Sequence, residues 1–242
     1  MSLVSNRREV SPLPEVCLSE AEIDLTDDGD RPAINSRAEP ASTLYTRGGK
    51  RALDIVLSVL LLVGLAPVFA IVTWLVRTRL GSGGAIFRQR RIGLDGAEFT
   101  MYKFRSMLPD RRVVDRSFEG PDRRRTHKSD DDPRHRPLGR FLRSASLDEL
   151  PQLWNVLKGE MSLVGPRPEV KEIAIRNHLL DHPRHRVRPG ITGPFQVSEL
   201  RFEGRLELGF EMDTDYTRSI GLVSDCGYLL QTLAAPFTRR GR

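Results

Sequence analysis

Two adjacent carboxylates, Asp148 and Glu149, lie in the stretch SLDELPQLWNVLKGEMSLVGPRPE, residues 146–169. Ser146, followed three residues later by Glu149, matches a capping-box pattern, which predicts that Asp148 lies in the first turn of a helix. The amides at a helix start favour an ionised carboxylate, and an ionised Asp can act as a nucleophile or as a Mg²⁺ ligand. Two roles therefore stay open for the pair: a structural cap, or chemistry in which one residue attacks and the other holds a metal ion.

Several basic residues lie in short motifs around this pair. Carboxylates that bind a hard cation, together with guanidinium groups that bind oxyanions through paired N–H groups, are the parts needed to handle a diphosphate. Each basic residue taken alone fits a solvated surface, so the prediction of an anion site depends on the whole set. The set comprises Lys103, Arg105, Arg140, Arg143, Arg167 and Arg188.

Other familiar site patterns are not matched. The GSGG segment at residues 81–84 lacks the Lys and the Ser or Thr of a P-loop. The histidines at 178, 182 and 185 have a tempting spacing, but Pro183 interrupts the helical pattern and there is no H-E-x-x-H. We therefore expect these histidines to lie on a solvated face and not to form a metal site.

The composition favours anionic partners. The chain has 242 residues, a formal net charge of +6 and 39% hydrophobic residues, which fits one domain with an appendage. The arginine run at 123–125 has no aromatic residues between its members, which argues against a nucleic-acid partner. Cys17 and Cys226 are far apart and form no C-x-x-C motif, so we expect a reducing compartment.

The chain divides into three predicted parts. Residues 1–46 are polar without a sustained apolar period, which predicts a disordered tail. Residues 47–79 form the membrane segment, and residues 80–242 form a small α+β domain that is mainly α-helical. In that domain AIF and EFTMYKF predict a hairpin, 108–137 predict a charged loop, and helical patterns such as LGRFLRSAS and PEVKEIAIRNHLLDH dominate from 138 onward.

The apolar run ALDIVLSVLLLVGLAPVFAIVTWLV, residues 52–76, is long enough to cross a bilayer of about 30 Å. Basic residues flank it at both ends, so the charge bias that orients membrane spans gives no direction. Pro67 lies just past its middle and removes a helix hydrogen bond. A helix that bends at Ala66-Pro67 and leaves on the side it entered would satisfy both basic flanks. A kinked spanning helix is the alternative, and these features leave both open.

The order of motifs along the chain resembles the bacterial sugar transferases. The motifs are KRALD, FRQRRIG, YKFRSM, GRFLR, the SLDELPQL to GPRPE block, PGITG and DTDY, from about residue 48 to about residue 236. These relatives are monotopic phosphoglycosyl transferases, which load a sugar phosphate onto undecaprenyl phosphate. The resemblance implies a re-entrant membrane helix and a cytoplasmic catalytic domain that lies on the inner membrane through amphipathic interfacial helices.

The same resemblance implies roles for individual residues. Asp148 would attack the sugar-linked phosphate of a UDP-sugar, release UMP and form a phosphosugar-aspartyl intermediate, from which undecaprenyl phosphate takes the sugar phosphate. Glu149 would help to hold Mg²⁺, the implied cofactor, and Pro67 would form the membrane bend. The implied substrate-binding residues are Lys103, Arg105, Arg140, Arg143, Arg167, Arg188 and Gly190.

The resemblance implies that the protein carries out the first step of polysaccharide or glycoconjugate synthesis at the cytoplasmic face of the bacterial inner membrane. A homo-oligomer is compatible with this role. One departure from the family pattern follows PGITG, where QVSELR has Glu199 and Leu200 in place of the expected Gly and Arg. A catalytically silent, membrane-anchored scaffold of the same fold is therefore the alternative function. A single-pass anchor with a nucleic-acid-binding domain would leave the acidic pair unexplained.

Overall fold

The computed structural model describes residues 43–80, 84–108, 136–176, 179–198 and 206–238. The predicted tail up to residue 42 lies outside these ranges, and so do residues 109–135 of the predicted charged loop. All of the described residues belong to one compact unit, which spans Asn35–Arg242. The division of this unit into a membrane segment and a catalytic domain stays a prediction.

The described chain is mainly helical and has two small sheets, so the predicted α+β class is confirmed. Three short 3₁₀ turns, Leu94–Gly96, Leu147–Glu149 and Pro183–Arg186, connect the longer elements. The elements are α1 (Lys50–Gly64, after a π-helical turn at Tyr45–Gly49), α2 (Ala66–Arg79), β1 (Ile86–Ile92), β2 (Glu98–Phe104), α3 (Pro137–Ser144), α4 (Gln152–Lys158), β3 (Ser162–Val164), α5 (Lys171–Arg176), β4 (Gly190–Thr192), α6 (Pro194–Val197), α7 (Leu206–Arg218) and α8 (Leu222–Thr238).

The predicted hairpin is present as the antiparallel pair β1 and β2, in which Ile86 lies opposite Phe104. Side chains alternate between the two faces of a strand, so Phe99, Met101 and Lys103 share one face of β2. Phe99 and Met101 are buried in a core cluster with side chains from α4. Lys103 is the last residue on that face, and its position at the strand end brings its ammonium to the turn before α4.

The second sheet is a short parallel pair, in which Ser162 of β3 lies opposite Gly190 of β4. The segment after β3 runs very close to β4. A Cβ atom on Gly190 would lie 2.1 Å from the backbone nitrogen of Gly165, so a side chain is excluded at this position. Gly190 thus allows the GPRPE segment, residues 165–169, to pack directly on β4.

A break at Leu65 divides the apolar segment. No single helix in the described part of the chain is long and apolar enough to cross a membrane, but Tyr45–Gly64 and Ala66–Arg79 together meet that test with a bend of 63° between them. Pro67 lies in the first turn of α2, where it is tolerated, and its missing N–H prevents one continuous helix. The bend expected at Ala66-Pro67 is therefore present and centres one residue earlier, at Leu65.

Helix α1 turns its polar residues inward. Asp54 and Ser58 are buried, whereas Val56 and Leu60 on other faces are more than half exposed. The Asp54 carboxylate accepts a hydrogen bond from the Leu163 backbone N–H at 2.9 Å. This inverted pattern anchors α1 to the rest of the fold through polar contacts and leaves an apolar surface outside.

The predicted capping box is wrong. Ser146 has a left-handed backbone conformation (φ 54°) and its side chain makes no capping hydrogen bond. Pro151 explains the difference, because a helix starting at Leu147 would require an N–H at that position. The chain instead forms the 3₁₀ turn Leu147–Glu149, and α4 begins at Gln152.

The helix predicted over PEVKEIAIRNHLLDH is much shorter, since α5 spans only Lys171–Arg176. The Leu179 N–H donates to the Ala174 carbonyl, and this wider turn brings Leu179 into the core. The expectation of a solvated histidine face is also wrong for His182 and His185, which are 8% and 7% exposed. His178 lies outside the described residues.

Candidate active site

The 3₁₀ turn between α3 and α4 presents the two adjacent carboxylates in different environments. Asp148 is 8% exposed, whereas Glu149 is half-buried and lines a pocket. Burial and, next, the negative charge of Glu149 raise the pKa of Asp148 to about 6, although Lys103 and Arg143 oppose this rise. The Asp148 carboxylate is therefore harder to ionise than an aspartate in water, and when it is ionised it is poorly solvated.

The pocket beside the turn is lined by polar groups from distant parts of the chain. Three of these groups are cationic, one is a carboxylate and two are amides. They are Arg91, Lys103, Arg167, Glu149, Gln152 and Gln196, and the remaining lining comes from Met101, Pro168, Gly190 and Ile191. An excess of positive charge in a recess with buried walls suits an anionic ligand.

Lys103 and Glu149 form an ion pair across this pocket, with Nζ 2.6 Å from Oε1. Both side chains are partly shielded from water, with exposures of 17% and 25%. The ion pair joins β2 to the 3₁₀ turn and fixes the position of the Glu149 side chain. A bound anion and a bound cation would each find a partner of opposite charge here.

The GPRPE segment places Arg167 at the pocket. Neighbouring parts of the fold hold its backbone carbonyls: the Gly190 N–H donates to Pro166 at 2.8 Å, and the Ile92 N–H donates to Glu169 at 2.9 Å. The flanking prolines fix the backbone further, because each has a restricted φ and no N–H. The arginine therefore projects from a stiff loop.

Arg91 lines the pocket, although its only predicted role was as one of the basic residues that flank the apolar segment. Its Nη1 donates to the Pro168 carbonyl at 3.0 Å and its Nη2 to the Gln89 side chain at 2.8 Å. Burial and the nearby Arg167 charge lower the pKa of Arg91 to about 10. The pairing of β1 with β2 explains why Arg91 reaches the pocket. Arg91 lies opposite Phe99, on the face of the hairpin that also holds Lys103.

The seven predicted substrate-binding residues separate into groups. Lys103, Arg167 and Gly190 line the pocket together with Glu149. Arg143 is close enough to act on the charge of Asp148, and its Nη1 lies 3.4 Å from the Ser106 carbonyl. The structure therefore brings four of the seven to the dyad or its pocket.

The other three predicted residues do not line the pocket. Arg105 Nε donates to the Gly84 carbonyl at 2.9 Å, and Arg188 Nε donates to the Gly159 carbonyl at 2.8 Å. Arg140 is exposed on α3. Gln152 and Gln196 also line the pocket but were not predicted, because their uncharged amides do not stand out among the many charged residues of the sequence.

The dyad fits one mode of Mg²⁺ binding. The described residues contain no cluster of three or more His, Cys, Asp and Glu that would form an all-protein metal site. Mg²⁺ commonly uses only one or two carboxylates and completes its shell with water and substrate phosphates. The negative charge of Glu149 raises the pKa of Asp148, so a cation bound between these carboxylates would relieve their repulsion.

Comparison with known proteins places the chain among enzymes of one kind. The family described as "Bacterial sugar transferase" matches residues 45–239. The chain is 38% identical to the exopolysaccharide production protein ExoY of Sinorhizobium fredii over 79% of this chain and 87% of that protein. It is 38% identical to the UDP-glucose:undecaprenyl-phosphate glucose-1-phosphate transferase of Escherichia coli, over 79% of this chain and 40% of the relative.

A further relative is the undecaprenyl-phosphate galactose phosphotransferase of Salmonella typhimurium, which is 37% identical over 79% of this chain and 41% of that protein. The chain thus covers most of the Sinorhizobium protein and less than half of the two longer enzymes. Glu199 and Leu200 of the departing segment QVSELR lie outside the described residues. The family match over nearly the whole described chain confirms the resemblance and the predicted enzyme class of phosphoglycosyl transferase: the chain belongs to the bacterial sugar transferase family.

Proposed function

We propose that this protein transfers a sugar 1-phosphate from a UDP-sugar to undecaprenyl phosphate, releasing UMP and forming undecaprenyl-diphospho-sugar. The observation that carries the proposal is the placement of the Asp148-Glu149 pair beside a pocket lined by Arg91, Lys103 and Arg167. The names of the Escherichia and Salmonella relatives, which act on undecaprenyl phosphate, support the same reaction.

In the first step an oxygen of ionised Asp148 attacks the phosphorus attached to the sugar. The bond from that phosphorus to the bridging oxygen of the diphosphate breaks, and UMP leaves with the bond electrons. The burial of Asp148 strengthens it as a nucleophile, because a poorly solvated carboxylate loses little water when it attacks. The product is an acyl phosphate on Asp148 that still carries the sugar.

In the second step a phosphate oxygen of undecaprenyl phosphate attacks the same phosphorus, and the bond to Asp148 breaks to restore the carboxylate. Both steps bring one anion towards another, so cationic side chains must offset the repulsion. Lys103 and Arg167 line the pocket and are suited to contact the phosphates, while Arg91 adds positive charge and holds the loop that carries Arg167.

Glu149 is the residue of this chain that would hold Mg²⁺, with Asp148 kept for attack. The ion, when bound, would neutralise charge on the diphosphate and on the leaving UMP. Glu149 meanwhile orients Lys103 through their ion pair. The Glu149 carboxylate therefore has Lys103 as an ion-pair partner in the absence of the metal ion.

The outer surface of the bent helix pair supports a location at the cytoplasmic face of the inner membrane. Exposed apolar residues such as Val56, Leu60, Val63 and Trp74 cover it, while the polar residues of α1 face the protein. A lipid environment removes the cost of exposing such a surface to water. This location would bring the pocket near an acceptor phosphate that lies at the membrane interface.

Trapping of the intermediate tests the proposal. The purified protein is incubated briefly with UDP-sugars labelled in the sugar, in the presence of Mg²⁺ and without acceptor, using both UDP-glucose and UDP-galactose. We expect stoichiometric UMP release and label on the peptide that contains residue 148. Release of UMP only after acceptor is added, with no labelled peptide, would rule out the covalent route. No release with any UDP-sugar tested, from folded protein given acceptor, would favour the silent scaffold.

A further inference from the structure

The DTDY motif, residues 213–216, contributes no side chain to the pocket, yet its first residue is almost completely buried. Asp213 on α7 forms an ion pair with Arg184 of the 3₁₀ turn Pro183–Arg186, with Oδ2 2.7 Å from Nη2. Each side chain is 1% exposed. The site described above gives this buried pair no role.

Arg184 also contacts the loop that carries Arg167. Its Nη2 donates to the Arg167 carbonyl at 2.6 Å, and the same atom lies 3.9 Å from Oε1 of Glu169. The guanidinium additionally packs over the Phe210 ring, with 5.0 Å to the centroid. Asp213 thus fixes a guanidinium that also donates a hydrogen bond to the backbone of a pocket residue.

The remaining carbonyls of the loop are held by other elements. Gly190 and Ile92 donate from the two sheets, and Arg91 donates to the Pro168 carbonyl. The Arg167 carbonyl is the one that depends on the Arg184–Asp213 pair. Loss of the pair would therefore free the backbone at the residue whose side chain lines the pocket.

Stability alone gives no reason for such a pair. Burying two charges costs desolvation that their attraction roughly offsets, and apolar residues of similar size are often as stable. What the ion pair supplies in addition is a donor with fixed direction towards one carbonyl.

We propose that Arg184 and Asp213 are positioning residues, which hold the Arg167 backbone so that its guanidinium meets the diphosphate in the pocket. This inference rests on the proposed function for the identity of the ligand. It assigns the DTDY aspartate to substrate alignment through Arg167 and not to chemistry.

A double-mutant cycle between Asp213→Asn and Arg167→Ala tests this inference. The kcat/KM for the UDP-sugar is measured for the unchanged protein, both single variants and the double variant, each well below its melting temperature. We expect Asp213→Asn alone to lower kcat/KM by about tenfold to a hundredfold, and by less than about threefold when Arg167 is already Ala. Equal losses in both backgrounds would overturn the proposal.

Asp225→Asn serves as the matched control. Asp225 is also 1% exposed and pairs with a cation, Lys50, at 2.5 Å, but it does not line the pocket. Its loss should lower the melting temperature with less than about a threefold change in kcat/KM. A loss of kcat/KM equal to that of Asp213→Asn would show that any buried ion pair has the same effect, and would overturn the positioning role.

Two further measurements keep the test decisive. If Asp213→Asn does not fold, Arg184→Lys replaces it in the cycle, because an ammonium keeps the charge but not the fixed two-partner geometry. If the unchanged protein releases no UMP, the proposed reaction fails, and the same cycle is then measured on the Kd for UDP. Coupling in UDP binding would still support the positioning role, whereas additive losses would overturn it.

Discussion

Glu149 Oε1 lies 2.6 Å from Lys103 Nζ, so Glu149 forms an ion pair, whereas the charges of Lys103 and Arg143 lower the pKa of Asp148 less than burial and Glu149 raise it. Asp148 is the more deeply buried of the two. Burial and, second, the charge of Glu149 raise its pKa. This asymmetry separates the roles within the dyad. The paired carboxylate is held in place by an ion pair, while the buried carboxylate keeps the higher energy that suits a nucleophile.

Glu149→Gln should raise the Mg²⁺ concentration needed for half-maximal activity and lower kcat. The amide is a weaker ligand for a hard cation and leaves Lys103 without a carboxylate partner. The measurement is UMP release over a Mg²⁺ titration.

Glu98→Gln is the matched control for Glu149→Gln. Glu98 also pairs with a lysine, Lys171, at 2.8 Å, but this pair is more exposed than Lys103–Glu149 and Glu98 does not line the pocket. Glu98→Gln should leave the Mg²⁺ concentration for half-maximal activity unchanged. An unchanged Mg²⁺ response in Glu149→Gln as well would remove Glu149 from metal binding.

Asp148→Asn should stabilise the protein at pH 8 while it abolishes turnover. The pKa of Asp148 is raised from 3.8 to about 6 in the folded state, so the folded protein favours the protonated form and the charge costs stability. That cost is absent below pH 4 and complete above pH 6. The gain from Asn at pH 8 should be about 1 to 3 kcal/mol in the free energy of unfolding, and near zero at pH 4.

Denaturant unfolding in detergent at the two pH values measures this difference. Asn keeps the shape of the side chain, so packing changes contribute equally at both pH values and cancel. A destabilised Asp148→Asn variant at pH 8, with the same deficit at pH 4, would mean that the carboxylate is a structural residue.

His182 and His185 should make the fold sensitive to acid in the opposite sense. Burial, and then the Arg184 charge, lower the pKa of each imidazole from 6.5 to about 4. Their contribution to stability is therefore full above pH 6.5 and is lost as pH falls towards 4, by up to about 3 kcal/mol for each group. Melting temperatures of His182→Gln and His185→Gln, each compared with the unchanged protein from pH 7 to pH 4, should show a smaller decrease.

A variant that loses as much stability between pH 7 and pH 4 as the unchanged protein would contradict the prediction for that histidine. The comparison uses the change with pH and not the stability at one pH, because each substitution also changes packing. Asp148 titrates in the same range but gains stability on protonation, so Asp148→Asn provides a control of opposite sign.

The sequence predicted the elements whose signal is local. EFTMYKF forms β2, and LGRFLRSAS covers all of helix α3 except Pro137. The errors arose where a distant or backbone constraint decides. Pro151 converted an expected helix start into a 3₁₀ turn, and burial against Phe210 and Arg184 placed His182 in the interior.

The candidate site shows the same division. Asp148, Glu149 and Lys103 belong to motifs with chemical character of their own, so residue type identified them. Arg91 and Gln152 line the pocket only because the hairpin register and the α4 packing direct them there, and residue type gave no sign of it. Arg188, which was also predicted to bind substrate, does not line the pocket, and its Nε donates to the Gly159 carbonyl.

The bent helix pair predicts that both ends of the apolar segment lie on the same side of the membrane. The bend of 63° at Leu65 and basic residues at both ends fit a segment that enters and returns on the cytoplasmic side. Cys17 precedes the segment in the sequence, so its side reports the topology once Cys226 is replaced by Ser.

In intact cells, with any outer membrane permeabilised, a membrane-impermeant thiol reagent should leave Cys17 of the Cys226→Ser variant unlabelled. After lysis the same residue should be labelled, which shows that the thiol reacts when the reagent reaches it. A Cys17→Ser, Cys226→Ser variant gives the background signal. Labelling of Cys17 before lysis, with the inner membrane intact, would place the segment's start outside, and the helix pair would then have to cross the bilayer.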